Sequence, residues 1–179
     1  MFLFGHLGIT LGIAFLLLHL LRIESNRRLY SFILIGALLP DLIDKPIGEI
    51  MLATSLSNGR LFAHTSLFIF LLLLGGAYIQ QRSGENGGLA LCFASFIHLC
   101  EDQMWRMPAT LFYPFFGFDF PQGIVEGHWL EYFLGAFIRT YSLSSGPSYV
   151  FVAEWIGISI LVIFMVHWIS IRRFSDRVQ

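Results

Sequence analysis

MFLFGHLGITLGIAFLLLHLL, residues 1–21, is an apolar run of about the 20 residues that a bilayer core requires, and it carries a histidine, His6, near its start. No basic stretch opens it and no small-residue cleavage site precedes Arg22, so it reads as a retained membrane helix rather than a secretory leader. Gly5, Gly8 and Gly12 give it a small-residue face for close helix packing. An ionisable side chain inside such a segment is costly and defaults to a functional reading. His6 is therefore the first candidate site residue.

Working outward, four further runs are long enough to span: 29–47, 62–80, 88–107 and 147–171. Between 108 and 146 the chain is aromatic and rich in Gly and Pro, and 129–140 reads as a short interfacial or re-entrant helix opened by Trp129. The expected fold is an all-α polytopic membrane helix bundle of about five transmembrane helices. It is a single domain over 1–179, with site-bearing helices in 1–107, an aromatic outer loop and interfacial helix in 108–146, and a last span at 147–171.

Composition agrees with this class. The chain has 179 residues, 56% hydrophobic and 13% charged, whereas soluble domains carry about 25% charged residues. A net charge of −1 leaves no basic balance to favour nucleic acid. Cys92 and Cys100 share one apolar run; on a rigid helix their separation is roughly 12 Å, too far for a disulfide, so both read as packing residues.

The basic residues set an orientation. Arg22, Arg27, Arg28, Arg82, Arg172, Arg173 and Arg177 fall on one side of the expected spans, and Lys45, Arg60, Arg106 and Arg139 on the other. The positive-inside rule places the first group in the cytoplasm, with the N-terminus outside and the C-terminus inside. Under this threading His6, Asp41, Asp44, His64, His98 and Asp102 all fall toward the outer face, although the orientation used only arginine and lysine.

Their spacing adds detail. Leu39-Pro40-Asp41-Leu42-Ile43-Asp44 sets two carboxylates at i and i+3, and His98 and Asp102 stand at i and i+4, so each pair shares a helix face. Mixed imidazole and carboxylate donors suit Zn²⁺, Mn²⁺ or Fe²⁺ better than Mg²⁺ or Ca²⁺, which prefer all-oxygen shells. Six donors exceed one tetrahedral zinc shell. Either some orient the others, or two ions share a bridging carboxylate. Arg60, with Lys45 and Arg106, is placed to hold an anionic substrate, and Glu101 is the candidate general acid or base. Glu126 and His128 lie in the outer loop, and Glu154 is a further carboxylate in the last span, in need of a partner. His19 and His167, near the cytoplasmic ends, read as packing residues.

At these residues the chain resembles the YdjM-like membrane-bound metal-dependent hydrolases, a family sometimes labelled LexA-regulated. The matching pieces are Phe4-Gly5-His6, the run at 39–44, Arg60 with His64-Thr65-Ser66, and His98-Leu-Cys-Glu-Asp102 followed by Trp105 and Pro108. Many relatives carry His-Arg-Gly-x-Thr-His-Ser, where this chain has Gly59 and Ala63 at the first and fifth positions. The resemblance implies a hydrolase. The expected function is thus metal-dependent hydrolysis of a phosphoester or ester of an amphiphilic, lipid-like substrate at the outer leaflet of the plasma (inner) membrane, with one or two divalent ions. The competing class is a metal-binding transporter or channel-like protein, and a third reading is a scaffold whose metal staples helices.

Overall fold

The computed structural model describes residues 1–123, 129–141 and 148–175. Among the described residues there are seven α-helices and no strand: α1 (Leu3–Leu20), α2 (Arg27–Lys45), α3 (Ser66–Ser83), α4 (Gly87–Glu101), α5 (Pro108–Leu111), α6 (Trp129–Tyr141) and α7 (Tyr149–Ser175). The all-helical expectation holds. Two helices, Leu3–Leu20 and Tyr149–Ser170, are long and apolar enough to cross a membrane. α2 carries Arg27 and Arg28 at its start and Asp41, Asp44 and Lys45 in its last turns, and α4 is a shorter apolar helix of 15 residues.

α4 packs between α2 and α3, and α1 lies against α2 on one side and α7 on the other. Small and polar residues share the interior with a few large apolar ones such as Ile33, Leu61 and Met104, while many large apolar side chains face outward. α1 buries Gly5, His6, Gly8, Thr10, Leu11 and Ala14 and exposes Phe15, Leu16 and Leu20. This arrangement suits a lipid solvent, in which helices associate through small residues and internal hydrogen bonds. At Gly8 an added Cβ would lie 2.4 Å from the Gly157 Cα, so the α1–α7 crossing is backbone on backbone.

α1 begins at Leu3 without a side-chain cap of its own. Glu154, fully buried on α7, supplies one: its carboxylate accepts from the backbone N–H of Phe2 at 2.7 Å, Phe4 at 3.1 Å and Gly5 at 3.0 Å, and from the Tyr141 hydroxyl at 2.5 Å. The orphan donors of a helix start thus meet an anion where its dipole is positive. That is the partner Glu154 needs.

Pro40 sits inside α2 and has no N–H for the carbonyl of Gly36. The Ser95 hydroxyl of α4 donates to that carbonyl at 3.0 Å, and His98 Nδ1 donates to the next one, Ala37, at 2.7 Å. A hydrogen bond forfeited by proline thereby becomes the contact between the two helices that carry the site. Lys45 leads directly into a single π-helical turn, Pro46–Met51.

Two expected boundaries shift. The run 62–80 becomes a helix only at Ser66, because Thr65 caps it by accepting from Phe68 N–H at 3.0 Å. The run 88–107 stops at Glu101: Asp102 is the C-cap, Gln103 takes a left-handed conformation (φ 55°), and a turn at 104–106 leads to α5.

Candidate metal centre

Asp44 organises the segment between α2 and α3. Fully buried, it accepts from the backbone N–H of Leu61 at 2.7 Å, Ala63 at 3.0 Å and His64 at 3.1 Å. Its Oδ2 also accepts from His64 Nδ1 at 2.8 Å. A carboxylate that gathers a loop's N–H groups this way fixes both the path of residues 61–64 and the ring they present.

Three imidazoles follow one plan. His64 Nδ1 is held by Asp44, His98 Nδ1 by the Ala37 carbonyl, and His6 Nδ1 by Glu101 Oε2 at 2.6 Å. A carbonyl only accepts, so His98 carries its proton on Nδ1 and turns the Nε2 lone pair inward; the carboxylate does the same for His64. The two Nε2 atoms stand 3.3 Å apart, and all three rings are fully buried. With both rings neutral these lone pairs repel, and either a shared proton or a bound cation between them relieves the contact.

Two carboxylates complete the cluster. Asp41 Oδ1 is 3.7 Å from His64 Nε2 and 3.7 Å from His98 Nε2, and Asp102 Oδ2 is 3.9 Å from His64 Nε2. One donor atom from each of Asp41, His64, His98 and Asp102 lies within 4.8 Å of every other. A tetrahedral shell with bonds of about 2.0–2.2 Å has edges of about 3.3–3.6 Å, close to the shortest separations seen. The residue types and the spacing both fit a metal ion.

The carboxylates are in turn held by cations. Lys45 Nζ donates to Asp41 Oδ2 at 2.6 Å, and Arg60 Nε donates to Asp102 Oδ2 at 2.8 Å. Burial works to lower the pKa of the Arg60 guanidinium, but the adjacent Asp102 outweighs it and holds the group above the ordinary arginine value. Asp41, Lys45, Glu49, Arg60 and Asp102 line a cleft of about 200 Å³ that opens from the cluster. A larger cleft of about 360 Å³ between α1, α2 and α4 is lined by Leu17, Leu29, Ile33 and Phe93 and has no titratable side chain.

The six residues singled out from sequence therefore meet at one place, in different roles. Asp41, His64, His98 and Asp102 form the cluster. Asp44 stands behind His64 rather than in the shell. His6 stacks on His98 with ring centroids 3.9 Å apart. Glu101 turns away from the cleft to His6 and to the Thr10 hydroxyl, which donates to it at 3.0 Å. Arg106 is exposed on the turn after α4 and is not among the cleft residues. Glu126 and His128 lie outside the described residues. His19 and His167 are exposed, with His19 stacked on Phe15. Sequence reasoning missed Ser95 and Thr10; a hydroxyl one turn from a buried histidine on the same helix was the available signal.

In comparison with known proteins, a family model described as YdjM inner membrane protein matches residues 1–176. No curated protein and no solved structure matches.

Proposed function

This chain belongs to the YdjM inner membrane protein family, and from that premise and the geometry of the cluster we propose that it is a membrane-embedded, metal-dependent hydrolase acting on an amphiphilic phosphoester or ester. The single observation that carries the reading is the pair of inward-facing Nε2 atoms of His64 and His98, 3.3 Å apart, flanked by two carboxylates and opening on a cleft bordered by Lys45 and Arg60.

Asp41, His64, His98 and Asp102 hold the ion. When bound, it supplies Lewis-acid polarisation and lowers the pKa of a coordinated water toward about 7. The chain's own groups do the remainder. Asp44 and the Ala37 carbonyl keep the two imidazoles in the donor tautomer. Arg60 and Lys45 border the cleft as fixed positive charges, which favours a substrate whose negative charge grows in the transition state. Glu49 lines the same cleft without belonging to the cluster and takes the place of Glu101 as candidate proton acceptor.

The topology we favour is five spans, with 29–47, 62–80 and 88–107 crossing beside α1 and α7. Arg28 and Glu85 pair at 2.5 Å, so the α1–α2 and α3–α4 connections share one end of the bundle, as alternating spans require. That end carries the arginine-rich loops and is assigned to the cytoplasm. The metal cluster then lies toward the outer leaflet, at headgroup depth, where a phospholipid or polyprenyl phosphate presents its ester.

The test is metal content and turnover together. Detergent-purified protein should hold a stoichiometric divalent ion and hydrolyse a lipid phosphoester, and alanine at Asp41 or His98 should remove both. Full turnover in either variant, or metal-loaded protein inert toward a broad panel of phosphoesters and esters while moving Zn²⁺ or Mn²⁺ across liposomes, would end the proposal in favour of a transporter.

A further inference from the structure

We infer that a second divalent cation binds between His6 Nε2 and Asp102 Oδ1, so that the Asp102 carboxylate bridges it to the ion of the Asp41–His64–His98–Asp102 cluster. The inference rests on reading that cluster as a cation site.

Asp102 divides its two oxygens. Oδ2 faces His64 Nε2 and takes the Arg60 donor; Oδ1 faces His6 Nε2 at 3.3 Å. That approach is not aligned as a hydrogen bond. Among the described residues only two buried side-chain polar atoms lack a hydrogen-bond partner, and His6 Nε2 is one of them. Its ring is fully buried, out of contact with bulk solvent.

The orphan is not an accident of packing, because the ring is held as deliberately as the two in the cluster. Glu101 Oε2 takes the Nδ1 side, and the Thr10 hydroxyl steadies the other Glu101 oxygen. This is the carboxylate–histidine arrangement that stands behind metal-bound imidazoles. Glu154, by capping α1 one turn before, fixes where His6 enters. His6 then lies flat on His98, with 21° between ring planes and 3.9 Å between centroids. Carboxylate-bridged ions sit about 3.5–4 Å apart, close to that stacking distance, so two stacked imidazoles can each serve one ion of such a pair.

Charge points the same way. Asp41, Asp44, Glu101 and Asp102 surround the three histidines, while Lys45 and Arg60 are the side-chain cations paired with them. The Met1 amino nitrogen also lies against Asp102 Oδ1, at 2.5 Å. An ammonium there is the competing source of positive charge, and it predicts one ion where the inference predicts two. With two protein donors, the second ion's shell is completed by solvent or substrate oxygen, which gives it the open positions a reacting phosphoester needs.

The measurement is elemental analysis of the full chain, purified in detergent and equilibrated with Zn²⁺. Two ions per chain, falling to one in His6→Gln, is the expected result. One ion in both proteins overturns the second site and leaves the cluster standing. Two ions in both overturns the assignment to His6. No ion in either removes the cluster reading as well, so the two failures are distinct. If His6→Gln does not fold, the unsubstituted chain loaded with Mn²⁺ decides by electron paramagnetic resonance. An exchange-coupled pair supports the bridge, and only the hyperfine pattern of isolated ions overturns it.

Discussion

His64 and His98 face one another through their Nε2 atoms at 3.3 Å, each with its Nδ1 proton already given to Asp44 or to the Ala37 carbonyl. A bound cation turns that repulsion into attraction, so occupancy and fold stability are linked. At an ion concentration one hundred times Kd, binding adds about 2.7 kcal/mol. Chelation of purified protein is expected to lower the unfolding midpoint by several degrees, with recovery on returning Zn²⁺ or Mn²⁺. His64→Gln or His98→Gln should abolish that difference; an unchanged midpoint in the parent protein on chelation would argue against the cluster as a cation site.

Asp44 is not among the residues lining the cleft, yet it holds Leu61, Ala63 and His64 by their N–H groups. Asn in its place keeps the volume but turns an NH₂ toward donors. Leaving such buried donors unmatched costs about 3 kcal/mol, and loss of the His64 orientation costs about 10–100-fold in metal affinity. Metal titration and thermal unfolding of Asp44→Asn check both. Parent-like affinity would mean that His64 is positioned by something else.

How far these roles could be read in advance depends on what a sequence states. A carboxylate or imidazole in an apolar run says that a partner exists, which is why Asp41, His64, His98 and Asp102 stood out. It does not say which partner. Asp41 and Asp44 look alike at i and i+3, and only the return of residues 61–64 makes one a cluster member and the other a loop anchor. Glu101 sits one residue from Asp102, but the 100° step of a helix sends it to His6 instead of the cleft. Glu154 needed α1, some 150 residues away in sequence, before its partners were visible.

Pro40 and Ser95 make a second kind of contact that periodicity does not reveal. Ser95→Ala leaves the Gly36 carbonyl, already without its helical donor, unsatisfied between α2 and α4. The expected loss is about 1–2 kcal/mol, the scale of interhelical hydrogen bonds in membranes. Pro40→Ala restores an N–H able to satisfy that carbonyl, so the double variant should recover part of the loss. A double-mutant cycle in unfolding free energy measures the coupling; strict additivity would show that the two residues do not share this carbonyl.

Arg60 borders the cleft and pairs with Asp102. If it holds substrate charge, Arg60→Lys retains the ion pair's sign but loses the planar fork, and should raise KM for an anionic lipid phosphoester about tenfold while metal content stays unchanged. A variant that loses metal along with activity would place Arg60 with the shell instead.

Neighbouring glycines on α3 provide a test of helix packing with its own control. A Cβ at Gly76 would fall 2.8 Å from the Gly88 carbonyl carbon, whereas one at Gly75 meets nothing within 4 Å. Gly76→Ala should therefore push α3 from α4 and destabilise the protein, and Gly75→Ala should be neutral or slightly stabilising through its better helix propensity. The α1–α7 crossing sharpens the comparison, because a Cβ at Gly8 would lie 2.1 Å from the Gly157 carbonyl oxygen. Backbone atoms cannot rotate away as a side chain can, so Gly8→Ala must move α1, and with it His6. Its effect should reach metal binding as well as stability, while Gly76→Ala, on the far side of α4, should alter stability first. Metal content measured on the folded fraction of each variant separates the two; equal loss in both would mean that the cluster senses only global unfolding.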